Sequence, residues 1–366
     1  MEYKTKASFF RRFYSALCDE LIELHPATGG CGSCLEKMLT IDERIQKKLE
    51  IKFPIDVVYT WVDGGDPLHA EKRNSFLPKQ NNIHPNGLEN ARFRDNEELR
   101  YSLRALETFA PWVRKIILVT DAQIPNWLNT LNGKIQIVDH KDFIPHEYLP
   151  TFNSHVIEAF LHKIPELAEH YIYLNDDVFL ARQTTKASFF SSNGLPFGFV
   201  DWRARRLSGY KFTKTPHAQS YFNTLKFFEQ KHVETNPKFI TAHGPYPATK
   251  TNAKATFEFF DKEIISFLNN KFRTTEELAF YSHAMPLWLY SQKKIIPCDE
   301  KYYYVQTRRR DRLAYYKAIL NSKKDNVAPL FFCINDVGNS KKIAKYQKDL
   351  HKVLTAYFPQ PSTYEK

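Results

Sequence analysis

The chain predicts an α/β protein with a mostly parallel sheet flanked by helices. Three observations carry this. Short β-branched and aromatic runs recur, helical patterns alternate with them, and the runs are apolar throughout rather than alternating in polarity. The runs are Ile55–Val62, Lys115–Thr120 and Tyr171–Asn175, with Ile135–Val138 as a fourth. Between them, 96–109 places Leu99, Leu103, Leu106 and Phe109 on one helical face, and 153–164 does the same with Val156, Ile157, Phe160, Leu161 and Ile164. Asn153 or Ser154 suits the cap of the second helix, and Asp95 with Glu98 three residues on reads as a capping-box variant for the first.

Beyond about residue 200 the pattern turns helical, over 219–231, 256–270, 274–292, 312–320 and 341–358. The expected division is an N-terminal extension over 1–53, a main domain over 54–338 that is helix-rich over about 205–330, and a closing helix within 339–366.

Composition narrows the function classes. Of 366 residues only 12 are glycine, and neither a P-loop nor a G-x-G-x-x-G fingerprint is present. The formal net charge of +11 favours anionic partners. Without an RNA-binding aromatic motif or zinc-finger spacing, nucleic acid is not the expected one. Local basic clusters stand at Arg203–Arg206 and Arg308–Arg312. The five cysteines do not form a disulfide framework; Cys31 and Cys34 have metal or redox spacing, or form a turn with two free thiols. No signal peptide or membrane-spanning run is seen, so the chain is read as cytoplasmic. The pattern over 8–24 predicts a basic amphipathic helix, with Phe9, Phe10, Phe13, Leu17 and Leu21 on one side, expected to pack on the body or to touch an anionic membrane surface.

Ligands of open α/β sheets lie beyond the carboxyl ends of the strands. There the first run is followed by Asp63, Gly64 and Asp66, the second by Asp121, and the third by Asn175-Asp176-Asp177. Clustered carboxylates repel and are tolerated where a cation or acid–base role compensates. Hard oxygen ligands suit Mg²⁺ or Mn²⁺, which commonly bridge to phosphates. Asp66 and Asp121 equally suit plain caps or turns. Arg92, Arg94 and Arg100 sit where guanidinium groups reach phosphate. His243 stands in a rigid loop with Pro245 and Pro247, and a second Asn-Asp, Asn335-Asp336, follows an apolar run near the end.

In that order these segments closely resemble the Stealth proteins. That family holds bacterial capsular polysaccharide phosphotransferases and the catalytic subunit of the animal lysosomal-enzyme N-acetylglucosamine-1-phosphotransferase. The first block is Ile55–Gly64. The second runs from Arg92 to about Phe179, through Ala110–Val113, Gln123–Leu128, Leu149–Ser154 and Tyr173–Val178. The third runs from His243 through Arg273 to the Tyr281 region, and the fourth is Cys333–Asp336. The chain departs from the animal enzymes at Tyr246, where they carry a second histidine.

The resemblance implies a Rossmann-like, GT-A-like sheet and transfer of a sugar 1-phosphate from a UDP-sugar to an acceptor hydroxyl, with release of UMP. It implies His243 as base, Arg273 and Asp176 in the catalytic centre, and Asp177 and Asp336 on Mg²⁺ or Mn²⁺. Thr60, Trp61, Asp63 and Gly64 would line the nucleotide pocket, with Arg92, Arg94 and Arg100 on the donor. The implied partners are a UDP-sugar, a capsular polysaccharide or oligosaccharide acceptor, and a peripheral contact with the inner membrane or capsule-assembly proteins. A metal-dependent glycosyltransferase releasing UDP is the alternative.

Overall fold

The central sheet has five strands in the order β3-β2-β1-β4-β8. In the computed structural model β1 is Ile55–Thr60, β2 Ile116–Thr120, β3 Ile135–Asp139, β4 His170–Asn175 and β8 Tyr246–Thr249. The first four run parallel, as expected, and β8 joins β4 antiparallel. Residues 49–77, 83–201, 214–234, 239–337 and 342–366 are described. The expected helix over 8–24, Cys31 and Cys34, and the Arg203–Arg206 cluster lie outside them.

Period-two geometry explains why these runs are apolar on every residue. Val57 and Tyr59 of β1, Ile116 and Leu118 of β2, and Ile172 and Leu174 of β4 face one core. Their neighbours Val58, Ile117, Val119, Tyr171 and Tyr173 face the other. Each fully buried aliphatic chain contributes about 1.5–3 kcal/mol, so one-residue slips that exchange the faces are strongly disfavoured. Asp56, wholly buried at the start of β1, is matched by Arg114 through Nε and NH2 at 2.7 and 2.5 Å and by the Ala168 amide at 2.8 Å.

The described helices are α1 (Pro67–Phe76), α2 (Glu98–Phe109), α3 (Ser154–Phe160), α4 (Pro216–Gln230), α5 (Lys250–Phe259), α6 (Asp261–Phe267), α7 (Met285–Ser291), α8 (Arg312–Lys324) and α9 (Ile343–Tyr357). Asn153 caps α3, its side chain accepting from the His155 amide at 3.1 Å. The expected capping box at Asp95 is not formed. Asp95 Oδ1 accepts from the Glu97 amide and Glu98 Oε2 from the Asn96 amide, so both carboxylates fold a tight turn ahead of α2. The helix then starts after Glu97, whose φ is +61°.

The second half is helix-rich as expected, with α4, α8 and α9 over the expected stretches, and two of the expected runs are interrupted. The run over 256–270 breaks at Phe260 into α5 and α6. Over 274–292 helix begins only with a π-helical turn at Phe280–Ala284, because the Glu277 side chain captures the Thr274 amide at 2.9 Å. Two small sheets occupy the rest. One is β10-β11-β5, built from Tyr302–Gln306, Phe331–Asn335 and Val178–Leu180; the other is β7-β6-β9, built from Ile240–Thr241, Phe197–Asp201 and Ile296–Cys298.

Residues from Ile51 onward form one unit. The closing helix α9 packs into its core through Leu350, Val353, Leu354 and Tyr357. Among the described residues no helix is long and apolar enough to cross a membrane.

Candidate active site

From β1 the chain adds β2 and β3 on one side, then places β4 on the other. The carboxyl ends of β1 and β4 therefore flank a topological switch point, where α/β sheets hold their ligands. Thr60 pairs with Asn175 across it, and Thr60 Oγ1 hydrogen-bonds the Tyr173 hydroxyl at 3.1 Å. A cavity of about 590 Å³ opens at this edge.

The junction after β4 joins two sheets. Asp176 and Asp177 link β4 to β5, and β5 pairs with β11, Val178 opposite Cys333. The fourth sequence block is thereby laid against the second. Asp177 Oδ2 accepts from Asn335 Nδ2 at 2.9 Å and from the Cys333 thiol at 3.4 Å, while His243 Nε2 approaches it at 4.0 Å. Asp177 Oδ1 is buried without a hydrogen-bond partner.

Asp176 is held well above the usual carboxylate range by burial and by the charges of Glu98, Asp177 and Asp95. Glu98, buried beside it in the cavity wall, is pushed up to about 8, chiefly by burial and against its hydrogen bonds from Asn96.

Opposite charge gathers at another wall. Arg273 is part-buried in the cavity wall, donates to the Ser154 hydroxyl, and has its pKa lowered by desolvation. Arg92 donates to the carbonyl and side-chain oxygens of Asn86 and is pushed down to about 9 by burial and by Arg273. The hydrogen bonds of these two like-charged guanidiniums go to neutral partners, an arrangement that an anion stabilises. Gly87 holds the neighbouring turn close, since a Cβ there would lie 3.0 Å from the Arg273 carbonyl.

Of the expected residues, Thr60, Trp61, Arg92, Arg94, Asp176, Asp177, His243, Arg273 and Asp336 all border the cavity. Three others do not. Arg100 turns away to Glu365 at 2.5 Å and Glu97 at 3.1 Å, because its place on α2 faces the C-terminal segment. Asp63 is held through its backbone by the Gln123 side chain, at 3.1 Å to the amide and 2.9 Å to the carbonyl. Gly64 is a packing glycine; a Cβ would lie 2.5 Å from the Cβ and carbonyl oxygen of Phe93, between Arg92 and Arg94. These two residues shape the arginine loop rather than the cavity wall. Asp66 is the plain cap of α1, accepting from Leu68 at 2.8 Å, and Asp121 pairs with Lys72 at 2.7 Å.

Arg94 and Asp336, expected on the donor and on the metal, pair with each other at the cavity wall. Asp336 accepts in addition from Thr307 Oγ1 at 2.8 Å and Asn96 Nδ2 at 3.4 Å. Among the described residues the one group of three with ligand atoms within 4.8 Å of one another is Asp177, His243 and Cys333. That set mixes hard and soft donors. A hydrated Mg²⁺ or Mn²⁺ asks less of the protein, one or two carboxylates with phosphates completing the shell, and the unpartnered Asp177 Oδ1 fits it.

Sequence reading missed several cavity residues. Glu98 was absorbed by capping. His155 and Glu158 stand three apart on α3, a spacing that puts them on one face, yet only the apolar residues of that helix drew notice. Glu158 is pushed up to about 7 by burial, against the pull of Arg273. His217, whose ring lies 6.1 Å from that of His243, and Tyr304, at 5.6 Å, carried no local signal. Tyr246, the departure from the animal enzymes, stacks on Tyr173 at 5.9 Å and borders the cavity.

Conserved region 1 of Stealth proteins matches residues 53–80, and conserved region 2 matches residues 92–197. A capsular polysaccharide phosphotransferase of Actinobacillus suis is 39% identical over 326 residues, 88% of each chain. The Haemophilus influenzae capsular polysaccharide phosphotransferase fcs1 is 38% identical over 86% of this chain and 87% of its own. LcbA of Aeromonas hydrophila is 35% identical over 96% and 98%. A solved structure of the galactosyltransferase LgtC with donor and acceptor sugar analogs superposes with a TM-score of 0.41 at 12% identity, covering 82% of this chain and 95% of that one. With more than a third of its residues shared across nearly the whole length of such relatives, the chain belongs to the Stealth family of capsular polysaccharide phosphotransferases.

Proposed function

We propose that this protein transfers a sugar 1-phosphate from a UDP-sugar to a hydroxyl of a capsular polysaccharide or oligosaccharide acceptor, forming a phosphodiester and releasing UMP. The observation that best supports the reading is the meeting of His243, Arg273 and Asp176–Asp177, from three distant stretches of chain, around one cavity. The names of the relatives point the same way.

In this reading the acceptor oxygen attacks the phosphorus that bears the sugar. The bond from that phosphorus to the bridging oxygen of UMP breaks, and the anomeric C–O bond survives. His243 takes the acceptor proton, a general-base role that contributes about 10²–10⁴-fold. The Asp177 carboxylate 4.0 Å away faces the positive charge the imidazole then acquires. Arg273 and Arg92 bind the phosphoryl oxygens as UMP departs, and burial strengthens these contacts. Thr60 and Trp61 wall the nucleotide side. Asp177 would hold Mg²⁺ or Mn²⁺, which supplies charge neutralisation for the diphosphate. The reaction is assigned to the cytoplasm, where nucleotide sugars are the available donors, with peripheral membrane contact left to the N-terminal segment.

Incubation with a panel of UDP-sugars and acceptor, followed by chromatography of the nucleotide product, tests the reading. UMP supports it; UDP would instead mean glycosyl transfer.

A further inference from the structure

Glu277 is wholly buried and its carboxylate is crowded with donors. Oε1 accepts from Asn153 Nδ2 at 2.8 Å, the Thr274 amide at 2.9 Å and Asn270 Nδ2 at 3.2 Å. Oε2 meets His155 Nδ1 at 2.8 Å. With three donors already on Oε1, the carboxylate serves this cluster as an acceptor. The hydrogen of this last contact therefore belongs to Nδ1, and Nε2 is left with its lone pair.

That lone pair has nothing to accept from. His155 is wholly buried, Nε2 has no hydrogen-bond partner, and the residue borders the cavity. Buried polar atoms are nearly always satisfied, and an exception at a cavity wall marks a place for a ligand group. Burial pushes the His155 pKa down to about 4, with Arg273 adding to the effect, so the ring stays neutral at ordinary pH. A neutral acceptor repels phosphate oxygens, which carry no proton, and fits a hydroxyl.

We infer that His155 Nε2 is a recognition point for a sugar hydroxyl, fixed in its accepting tautomer by Glu277. The inference rests on the sugar-phosphate transfer proposed above and adds a residue that chooses among sugars. Glu277 acts through His155 and is a positioning residue. It also ties α3 to the loop of Arg273 through Thr274, so hydroxyl recognition and the guanidinium share one anchor.

The experiment is a cycle between enzyme and substrate. Full-length wild type, His155→Ala and His155→Gln are assayed with a parent UDP-sugar, with donors lacking one ring hydroxyl each, and with acceptors deoxygenated in the same way. Removing one partner of a buried hydrogen bond corresponds to about 10- to 100-fold in kcat/KM. Wild type should lose that much on one analogue. His155→Ala should lose as much on the parent sugar and nothing further on that analogue, while losses on the others stay additive. Whether the analogue is a donor or an acceptor identifies the sugar that is read; either supports the inference. Additive losses on every analogue by an active, folded variant overturn it. If His155→Ala does not fold, the same cycle is read on His155→Gln, which keeps polarity and bulk. A wild type inert toward every donor overturns the phosphotransfer reading and this inference together, whereas an active wild type with additive losses overturns this inference alone.

Discussion

His243 Nε2 stands 4.0 Å from Asp177 Oδ2, the oxygen that also accepts from Asn335 Nδ2. This contact links the loop before β8 to the junction after β4 and the end of β11. It gives the imidazole a fixed place beside a negative charge. His243→Ala is expected to cut turnover by about 10²–10⁴-fold while leaving donor affinity intact. Single-turnover kinetics with calorimetric donor binding checks both, and near-normal turnover would remove His243 from the mechanism.

The Arg94–Asp336 pair is mostly shielded, with side-chain exposures of 15% and 13%. Loss of either member leaves the other charge poorly matched. Asp336→Ala is expected to destabilise the protein by about 1–3 kcal/mol, and the double variant with Arg94→Ala by less than the sum. Denaturant melts of the three variants measure the coupling; strict additivity would show that the pair is not a unit.

Arg100 and Arg104 both grip Glu365, whose pKa is lowered to about 2 by these contacts and the Ser362 amide, against the opposing effect of burial. The Glu365 side chain is 3% exposed, and breaking a buried pair of this kind costs about 3–5 kcal/mol. Glu365→Ala should therefore melt at markedly lower temperature. Arg100→Ala should lower stability without changing the donor KM, whereas Arg92→Ala should raise that KM.

Glu98 gives the pH behaviour a definite sign. Folded, it keeps its proton to about pH 8; unfolded, it releases it near 4.5. The folded state binds more protons between these values, so its stability falls as pH rises through that window. Glu98→Gln should flatten this slope in chelator-treated protein. At the acid end His155 and His162, both pushed down to about 4, act oppositely: their contribution is lost as pH falls from 6.5 toward 4. Denaturant stability measured from pH 4 to 9 resolves both limbs.

The parallel core was legible because β1, β2 and β4 are buried on both faces and so read as mostly apolar runs. The strand-end rule likewise located Asp176 and Asp177. Side-chain partners were not legible. Arg100 follows the cavity-lining Glu98 by two residues, about 200° around α2, and its partner Glu365 lies 265 positions away. The Arg94–Asp336 pair spans 242 positions, so neither residue announces the other. His155 gains its meaning only from Glu277, 122 positions later. Long-range pairing sets these roles, and local pattern does not report it.

The most direct test of the central claim is phosphorus NMR of the purified product after reaction with a UDP-sugar and acceptor. A phosphodiester resonance coupled both to the anomeric position of the transferred sugar and to an acceptor carbon, with UMP in equal amount, is the predicted result. A product free of phosphorus, formed with UDP, would contradict it.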